Sequence, residues 1–96
     1  MDLIGDDAVR LIDQQDGKKP FFLYFASLAP HPPYQVTQKY RDLYPSVTNK
    51  NRQSYMGMIS SLDDQVGRIV TELENKHLRD NTIIRAYPVN ADTYYI

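Results

Sequence analysis

Residues 21–26 read Phe21-Phe22-Leu23-Tyr24-Phe25-Ala26, an unbroken aromatic and aliphatic run that follows Pro20. A continuous apolar run of this length is typical of a strand buried on both faces, as in the middle of a parallel sheet. A second β-like run, Thr82-Ile83-Ile84, lies near the other end of the chain. We expect the two runs to pair as parallel strands through a right-handed crossover connection.

The clearest helical pattern lies between these two runs. Apolar residues recur there every three or four positions, which predicts one long amphipathic helix with Asn51 as its N-cap. The predicted apolar stripe consists of Tyr55, Met58, Ile59, Leu62, Val66, Ile69, Val70 and Leu73. The predicted solvent face carries Asp63, Asp64, Arg68 and Glu72.

A shorter helix is predicted before the first run. It extends from Asp6 or Asp7 to Gln15, and Gly17 is placed to end it. Its apolar face consists of Ala8, Val9, Leu11 and Ile12. The predicted fold class is therefore α/β, in one partial domain over residues 1–96, with a helix followed by a β-α-β unit of parallel strands.

A long irregular connection over residues 27–50 is the place to look for chemistry. It contains prolines at positions 30, 32, 33 and 45 and no clear period, except for a short turn around Lys39 to Leu43. Long loops inside compact domains are usually functional or disordered. The candidate functional residue is His31, although a proline-flanked loop histidine taken by itself is more often simply exposed. His77, near a predicted helix end, has no assigned role.

Composition excludes several functions. The chain has 96 residues, no cysteine and a formal net charge of -1, so disulfides, thiolate metal sites and a nucleic-acid-binding field are not expected. The N-terminus lacks the apolar segment of a secretory signal, and the longest apolar run is too short to span a bilayer. As written, the sequence predicts a cytoplasmic product with no nucleic-acid or membrane partner.

Several ordered motifs together resemble one known family. They are Lys19-Pro20-Phe21-Phe22-Leu23-Tyr24, Ala29-Pro30-His31-Pro32-Pro33, Asn51-Arg52 with Tyr55 and Met58, Leu62-Asp63-Asp64-Gln65-Val66-Gly67-Arg68-Ile69, and Leu78-Arg79-Asp80-Asn81-Thr82-Ile83-Ile84. In that order and spacing they resemble the middle of sulfatases, the arylsulfatase-like branch of the alkaline phosphatase superfamily. The resemblance covers about residues 6–84 and leaves residues 85–96 as a divergent tail.

The resemblance implies a large α/β-sandwich enzyme that hydrolyses sulfate esters with a formylglycine nucleophile and a calcium or magnesium ion. The formylglycine signature needs Cys or Ser, then Pro two residues later, and then Arg, with one residue between the Pro and the Arg. None of the five serines fits it: Ser27, Ser46, Ser54, Ser60 and Ser61. Asp6-Asp7 only mimics the family's metal-binding aspartates, since its context is helical. Where the family continues from its strand into a Ser-Asp-Asn-Gly metal-binding turn, this chain has Arg85-Ala86-Tyr87-Pro88.

His31 matches the family histidine that contacts the sulfate group of the substrate. The sequence therefore predicts one substrate-binding residue, no catalytic residue, no metal ligand and no cofactor in this chain, and hence a sulfatase fragment that is inactive alone. The relatives of such a fragment are often periplasmic, secreted or lysosomal.

Two other hypotheses remain open. The chain could be a self-associating interaction module, a homo-oligomer that buries Phe21, Phe22 and Tyr24 through an exposed strand and apolar surface. It could instead be a remnant that binds sulfated ligands through His31 and Lys39.

Overall fold

The computed structural model describes residues 2–27 and 29–86. These described residues form three α-helices, α1 over Asp2–Asp13, α2 over Gln38–Arg41 and α3 over Lys50–Asn75, followed by a 3₁₀ turn at Arg79–Asn81. Both α1 and α2 pack against α3, which is the central element of this arrangement. The divergent tail lies outside the described residues beyond Ala86.

The predicted α/β fold class is wrong for this chain, because no strand forms anywhere in residues 2–27 and 29–86. Residues 21–27 form no regular element, and every second side chain is exposed, with Phe22 being 89% exposed. Residues 82–86 are also outside regular structure, and Ile83 is exposed. An apolar run forms a strand only when a neighbouring backbone completes its hydrogen bonds, and the runs 21–26 and 82–84 do not pair with each other.

Helix α1 begins earlier than predicted, at Asp2, and ends at Asp13 instead of Gln15. Its buried face consists of Gly5, Ala8 and Ile12, spaced for one side of a helix. The small residues allow a close approach to α3: a Cβ atom added to Gly5 would overlap the Gln65 side chain.

Both ends of α3 are capped. The side chain of Asn49 accepts a hydrogen bond from the Arg52 backbone N–H at 3.0 Å, so the N-cap is Asn49 and the prediction of Asn51 is wrong by two residues. At the other end the Leu78 N–H donates to the Leu73 carbonyl at 2.8 Å, and His77 has a positive φ of 58°. This is the left-handed ending that glycine usually provides.

The packed face of α3 differs from the predicted one. The predicted stripe residues Met58 and Leu73 are buried, whereas Tyr55, Ile59 and Val66 are each about two-fifths exposed. The other buried residues of α3 are small or polar, namely Ser54, Gly57, Ser61 and Gln65. At 3.6 residues per turn these lie roughly a third of a turn from the centre of the predicted stripe.

Short polar and small residues let α2 and its flanking loops sit close to α3. A Cβ atom on Gly57 would lie 3.0 Å from Val36 and 3.3 Å from Tyr40, whose side chain is buried. The Gln53 side-chain amide donates to the Tyr44 carbonyl at 2.9 Å, and the Tyr44 and Ser60 hydroxyls are hydrogen-bonded. Among the described residues, no helix has both the length and the apolar character needed to cross a membrane.

Candidate functional site

His31 lies in the irregular proline-rich connection between residue 27 and α2, and its side chain is exposed. The Ala29-Pro30 and Pro32-Pro33 peptide bonds on either side of it are cis. The ring atom Nδ1 is 2.7 Å from the carbonyl oxygen of Pro32. The candidate residue is thus held at the protein surface by its own local backbone.

This contact determines the tautomer of the neutral His31 ring. A carbonyl oxygen can only accept a hydrogen bond, so Nδ1 must carry the hydrogen and donate it. In the neutral ring, Nε2 is then an acceptor. The His31 ring can donate a second hydrogen bond from Nε2 only as an imidazolium, which is the form that also brings a positive charge to an anion.

An aromatic pair ties this connection to the first turns of α3. The Tyr34 and Tyr55 rings meet edge to face, with centroids 5.8 Å apart and planes at 88°. Such pairs are favourable beyond the apolar area they bury. Tyr34 follows His31 by three residues, so the contact restrains the backbone that carries the histidine.

A separate cleft lies where α1 and α2 meet the polar side of α3, with a volume of about 870 Å³. It is lined by Asp6, Val9, Thr37, Lys39, Tyr40, Asp63, Asp64, Gln65, Gly67, Arg68, Thr71 and Glu72. The predicted solvent face of α3 therefore lines a cleft between helices. His31 is not one of these lining residues.

Tyr40 and Asp64 form the central polar contact of this cleft. The Tyr40 hydroxyl donates to the Asp64 carboxylate at 2.9 Å. Burial raises the pKa of the Tyr40 hydroxyl, and the hydrogen bond to Asp64 and the negative charge of that carboxylate raise it further. The pair links α2 to α3 and keeps the phenol protonated.

The two cations of the cleft already have partners. Arg68 donates to Asp6 of α1 and, at 3.0 Å, to the side chain of Gln65. The Lys39 ammonium lies 5.0 Å from the centroid of the Tyr40 ring. The structure places Lys39 against the cleft and His31 outside it, so these two residues do not share that site.

The described residues do not fit the metal ion that a sulfatase needs. Over residues 2–27 and 29–86, no group of three or more His, Asp or Glu side chains is arranged to hold a metal ion. Asp6 and Asp7, which mimic a ligand pair in sequence, are instead engaged with Arg68 and Arg10. No step of a reaction can be derived through a metal ion held by these residues.

Two features of the cleft were missed from the sequence. The first is the burial of Tyr40, which lies in a short predicted turn without a periodic apolar pattern. The second is the contact between Asp6 and Arg68, which are 62 positions apart in the sequence. One residue in the sequence could have indicated this packing: Gly57, a glycine inside a helix, often marks a place where another segment approaches the helix closely.

Comparison with known proteins shows the family to which the chain belongs. The Sulfatase family model matches residues 1–87, and the chain belongs to the sulfatase family. It is 35% identical to mouse arylsulfatase J over 75 residues, and 31% identical to human N-acetylgalactosamine-6-sulfatase over 78 residues. The family expectation from the ordered motifs is confirmed.

A solved structure gives the same result at the level of the backbone. The crystal structure of Ps i-CgsB in complex with k-i-k-neocarrahexaose superposes with a TM-score of 0.80 and 39% identity over 84% of this chain. Each of these proteins is much longer than the match: the chain covers 12% of arylsulfatase J, 14% of N-acetylgalactosamine-6-sulfatase and 18% of the crystallised chain.

Proposed function

We propose that this chain is a sulfatase segment that contributes one sulfate-contacting residue, His31, and has no hydrolytic activity alone. The observation that supports the proposal best is the position of His31. It matches the family's histidine in sequence and stands exposed, with Nδ1 held by Pro32 and Nε2 available.

The chemistry that His31 offers is limited to binding. As an imidazolium it donates from Nε2 to a sulfate oxygen and adds a positive charge beside the anion. Ester cleavage also requires a nucleophile and stabilisation of the developing charge, and in sulfatases the formylglycine and the metal ion provide these. We infer that the nucleophile, the metal ligands and their cofactors come from parts of the fold that lie outside this segment.

The proposed ligand class is the sulfate ester as such. The names of the two curated relatives cover an arylsulfatase and an N-acetylgalactosamine-6-sulfatase, and the solved relative was crystallised with a neocarrahexaose. The chemistry shared by the sulfatases is the sulfate group, which is also the group that His31 is proposed to contact.

A turnover assay tests the proposal. The chain is incubated with 4-nitrophenyl sulfate and calcium, and the release of 4-nitrophenol is followed against a buffer blank and against His31→Ala. We expect all three rates to be equal. Reproducible release that disappears in His31→Ala would show that the chain does hydrolyse sulfate esters.

A second candidate function, self-association, is favoured by the exposure of Phe22 and Tyr24 in segment 21–27. Exposed apolar side chains favour association with another chain. Sedimentation velocity over a range of concentrations tests it, and a stable monomer at micromolar concentration contradicts it.

A further inference from the structure

The backbone on both sides of His31 can donate few hydrogen bonds. Every residue of 30–33 except His31 is a proline, and a proline has no N–H group. Within the described part of the chain, the hydrogen bonds around this stretch are local: the Ala29 N–H donates to the Ser27 hydroxyl at 3.1 Å, and His31 Nδ1 donates to the Pro32 carbonyl at 2.7 Å. These bonds shape the stretch but do not attach it to a helix.

Two side chains that follow this stretch attach the connection to α3. The Tyr34 ring meets the Tyr55 ring edge to face, with centroids 5.8 Å apart. Two residues further on, Val36 lies so close to Gly57 that a Cβ atom there would be 3.0 Å from it. Tyr34 is the nearer of these two attachments to His31. Both tyrosine rings are more than a third exposed, so the pair is a surface contact outside the core.

The link from Tyr34 back to His31 is stiff. It runs through Pro32 and Pro33, whose rings fix the backbone angle φ near about −65°. A stiff link transmits a restraint from one end to the other, whereas a flexible loop loses it within a few residues. Contact of Tyr34 with α3 therefore also restricts where the His31 ring can lie.

We propose that Tyr55 is a positioning residue for His31 and acts through the Tyr34 ring. With the pair formed, the His31 ring stays at the surface with Nδ1 engaged by Pro32 and Nε2 left for a sulfate oxygen. Neither tyrosine touches the sulfate group in this arrangement. The inference rests on the proposed sulfate contact of His31 and deepens it, because a group that is already oriented loses less conformational entropy on binding.

The strength of the ring pair sets the size of the effect. Without the pair, only a fraction of the molecules hold His31 in the binding position, and the apparent affinity for the anion falls by that fraction. The energy of an edge-to-face aromatic pair corresponds to binding that is weaker by about two- to tenfold when the pair is lost.

The experiment compares the full chain with three variants of α3. Tyr55→Leu removes the ring from the pair, and Tyr55→Phe keeps it. Ile59→Ala is the matched control, because Ile59 is a similarly exposed apolar residue one turn further along α3. Circular dichroism first checks that each variant has the helix content of the unchanged chain.

Each chain is titrated with methyl sulfate at acidic pH, where histidine is an imidazolium, and the His31 ring signals are followed by proton NMR. Methyl sulfate has no ring that could stack on a tyrosine, so an effect of Tyr55 on its binding cannot be a direct contact of that kind. We expect the half-saturating concentration to rise by about two- to tenfold in Tyr55→Leu. Tyr55→Phe and Ile59→Ala should match the unchanged chain.

A second measurement reports on His31 without any ligand. Its amide is the one backbone N–H within residues 30–33, so ¹⁵N relaxation of that amide reports the order of the stretch. The order parameter is about 0.85 for a rigid backbone and below about 0.6 for a flexible one. We expect it to fall in Tyr55→Leu and to be retained in Tyr55→Phe and Ile59→Ala. A purely structural role of Tyr55 would leave both His31 measurements unchanged.

Equal half-saturation in Tyr55→Leu and the unchanged chain overturns the inference, and so does equal weakening in Tyr55→Leu and Tyr55→Phe. If His31 of the unchanged chain does not respond to methyl sulfate, the proposed sulfate contact is wrong. The order parameter alone then decides whether Tyr55 positions His31, and equal values in all four chains overturn it. If Tyr55→Leu does not fold, Tyr34→Leu and Tyr34→Phe make the same comparison from the other ring of the pair.

Discussion

Replacing Tyr40 by Phe removes a single hydroxyl group from the contact between α2 and α3. That hydroxyl donates to the Asp64 carboxylate at 2.9 Å, while the ring is buried beside Gly57. Hydrogen bonds to charged groups contribute about 1.5 to 3 kcal/mol, and the exposure of Asp64 places this one at the lower end. We expect Tyr40→Phe to lower the free energy of unfolding by about 1.5 to 2 kcal/mol.

Urea unfolding followed by circular dichroism measures this loss. In a thermal melt, a loss of about 1 kcal/mol corresponds to a fall of roughly 4 to 8 °C in melting temperature for a domain of this size. Tyr55→Phe is the matched control, because its ring takes part in the pair with Tyr34 and its hydroxyl has no hydrogen bond among the described residues. The control should stay within about 0.5 kcal/mol of the unchanged chain, the range of a surface substitution.

Alkaline pH gives the same contact an independent test. The pKa of Tyr40 is raised in the folded protein, chiefly by burial and then by Asp64, so the folded state holds the phenolic proton more tightly than the unfolded chain does. The stability that the protonated Tyr40 hydroxyl contributes is therefore complete below about pH 10, the pKa of tyrosine in the unfolded chain. It is lost as pH rises through the higher pKa of Tyr40 in the folded chain. The stability difference between the unchanged chain and Tyr40→Phe should shrink over that range. A constant difference, or a loss no larger than that of Tyr55→Phe, would refute the reasoning.

Three further predictions concern the helices, each measured by urea unfolding. Ile12→Ala should cost about 2 to 5 kcal/mol, because Ile12 is only 1% exposed in the contact between α1 and α3; a loss comparable to that of the half-exposed Leu11→Ala would contradict this packing. Asn49→Ala should lower the free energy of unfolding by about 0.5 to 2 kcal/mol, whereas Asn51→Ala should have little effect. A larger loss in Asn51→Ala than in Asn49→Ala would show that Asn49 is not the N-cap. His77→Gly should stabilise the chain by up to about 1 kcal/mol, because His77 has a left-handed backbone, and His77→Val should destabilise it; equal stabilities would show that the backbone is not left-handed.

The helices and the family could be predicted because both depend on patterns within the sequence itself, the spacing of apolar residues and the order of the motifs. The period of apolar residues located α3, and the ordered motifs from Lys19 to Ile84 led to the sulfatases, as the family match confirms. Helix ends were less accurate, since Asn49 and Asn51 are both acceptable caps and only the backbone geometry distinguishes them.

The lack of strands in residues 2–27 and 29–86 and the packed face of α3 could not be predicted, for a different reason. An apolar run such as Phe21 to Ala26 favours a strand only if a neighbouring backbone completes its hydrogen bonds, and sequence composition does not reveal whether that neighbour is present. Likewise, the apolar stripe shows which face of α3 prefers to be buried, but α1 and α2 pack on the small and polar face through Gly57 and Gln65. The link from Asp6 to Arg68 is set by tertiary packing alone.

The central claim is that this chain offers a sulfate ester one imidazole and no hydrolytic chemistry. One proton NMR experiment tests both parts, with the chain, 4-nitrophenyl sulfate and calcium in the same tube. The chain has two histidines, so His77 serves as an internal reference for His31. We predict that the ring signals of His31 shift with added ester while those of His77 do not, and that the aromatic signals of the ester keep their intensity. Growing 4-nitrophenol signals that vanish in His31→Ala, or equal shifts at both histidines, would contradict it.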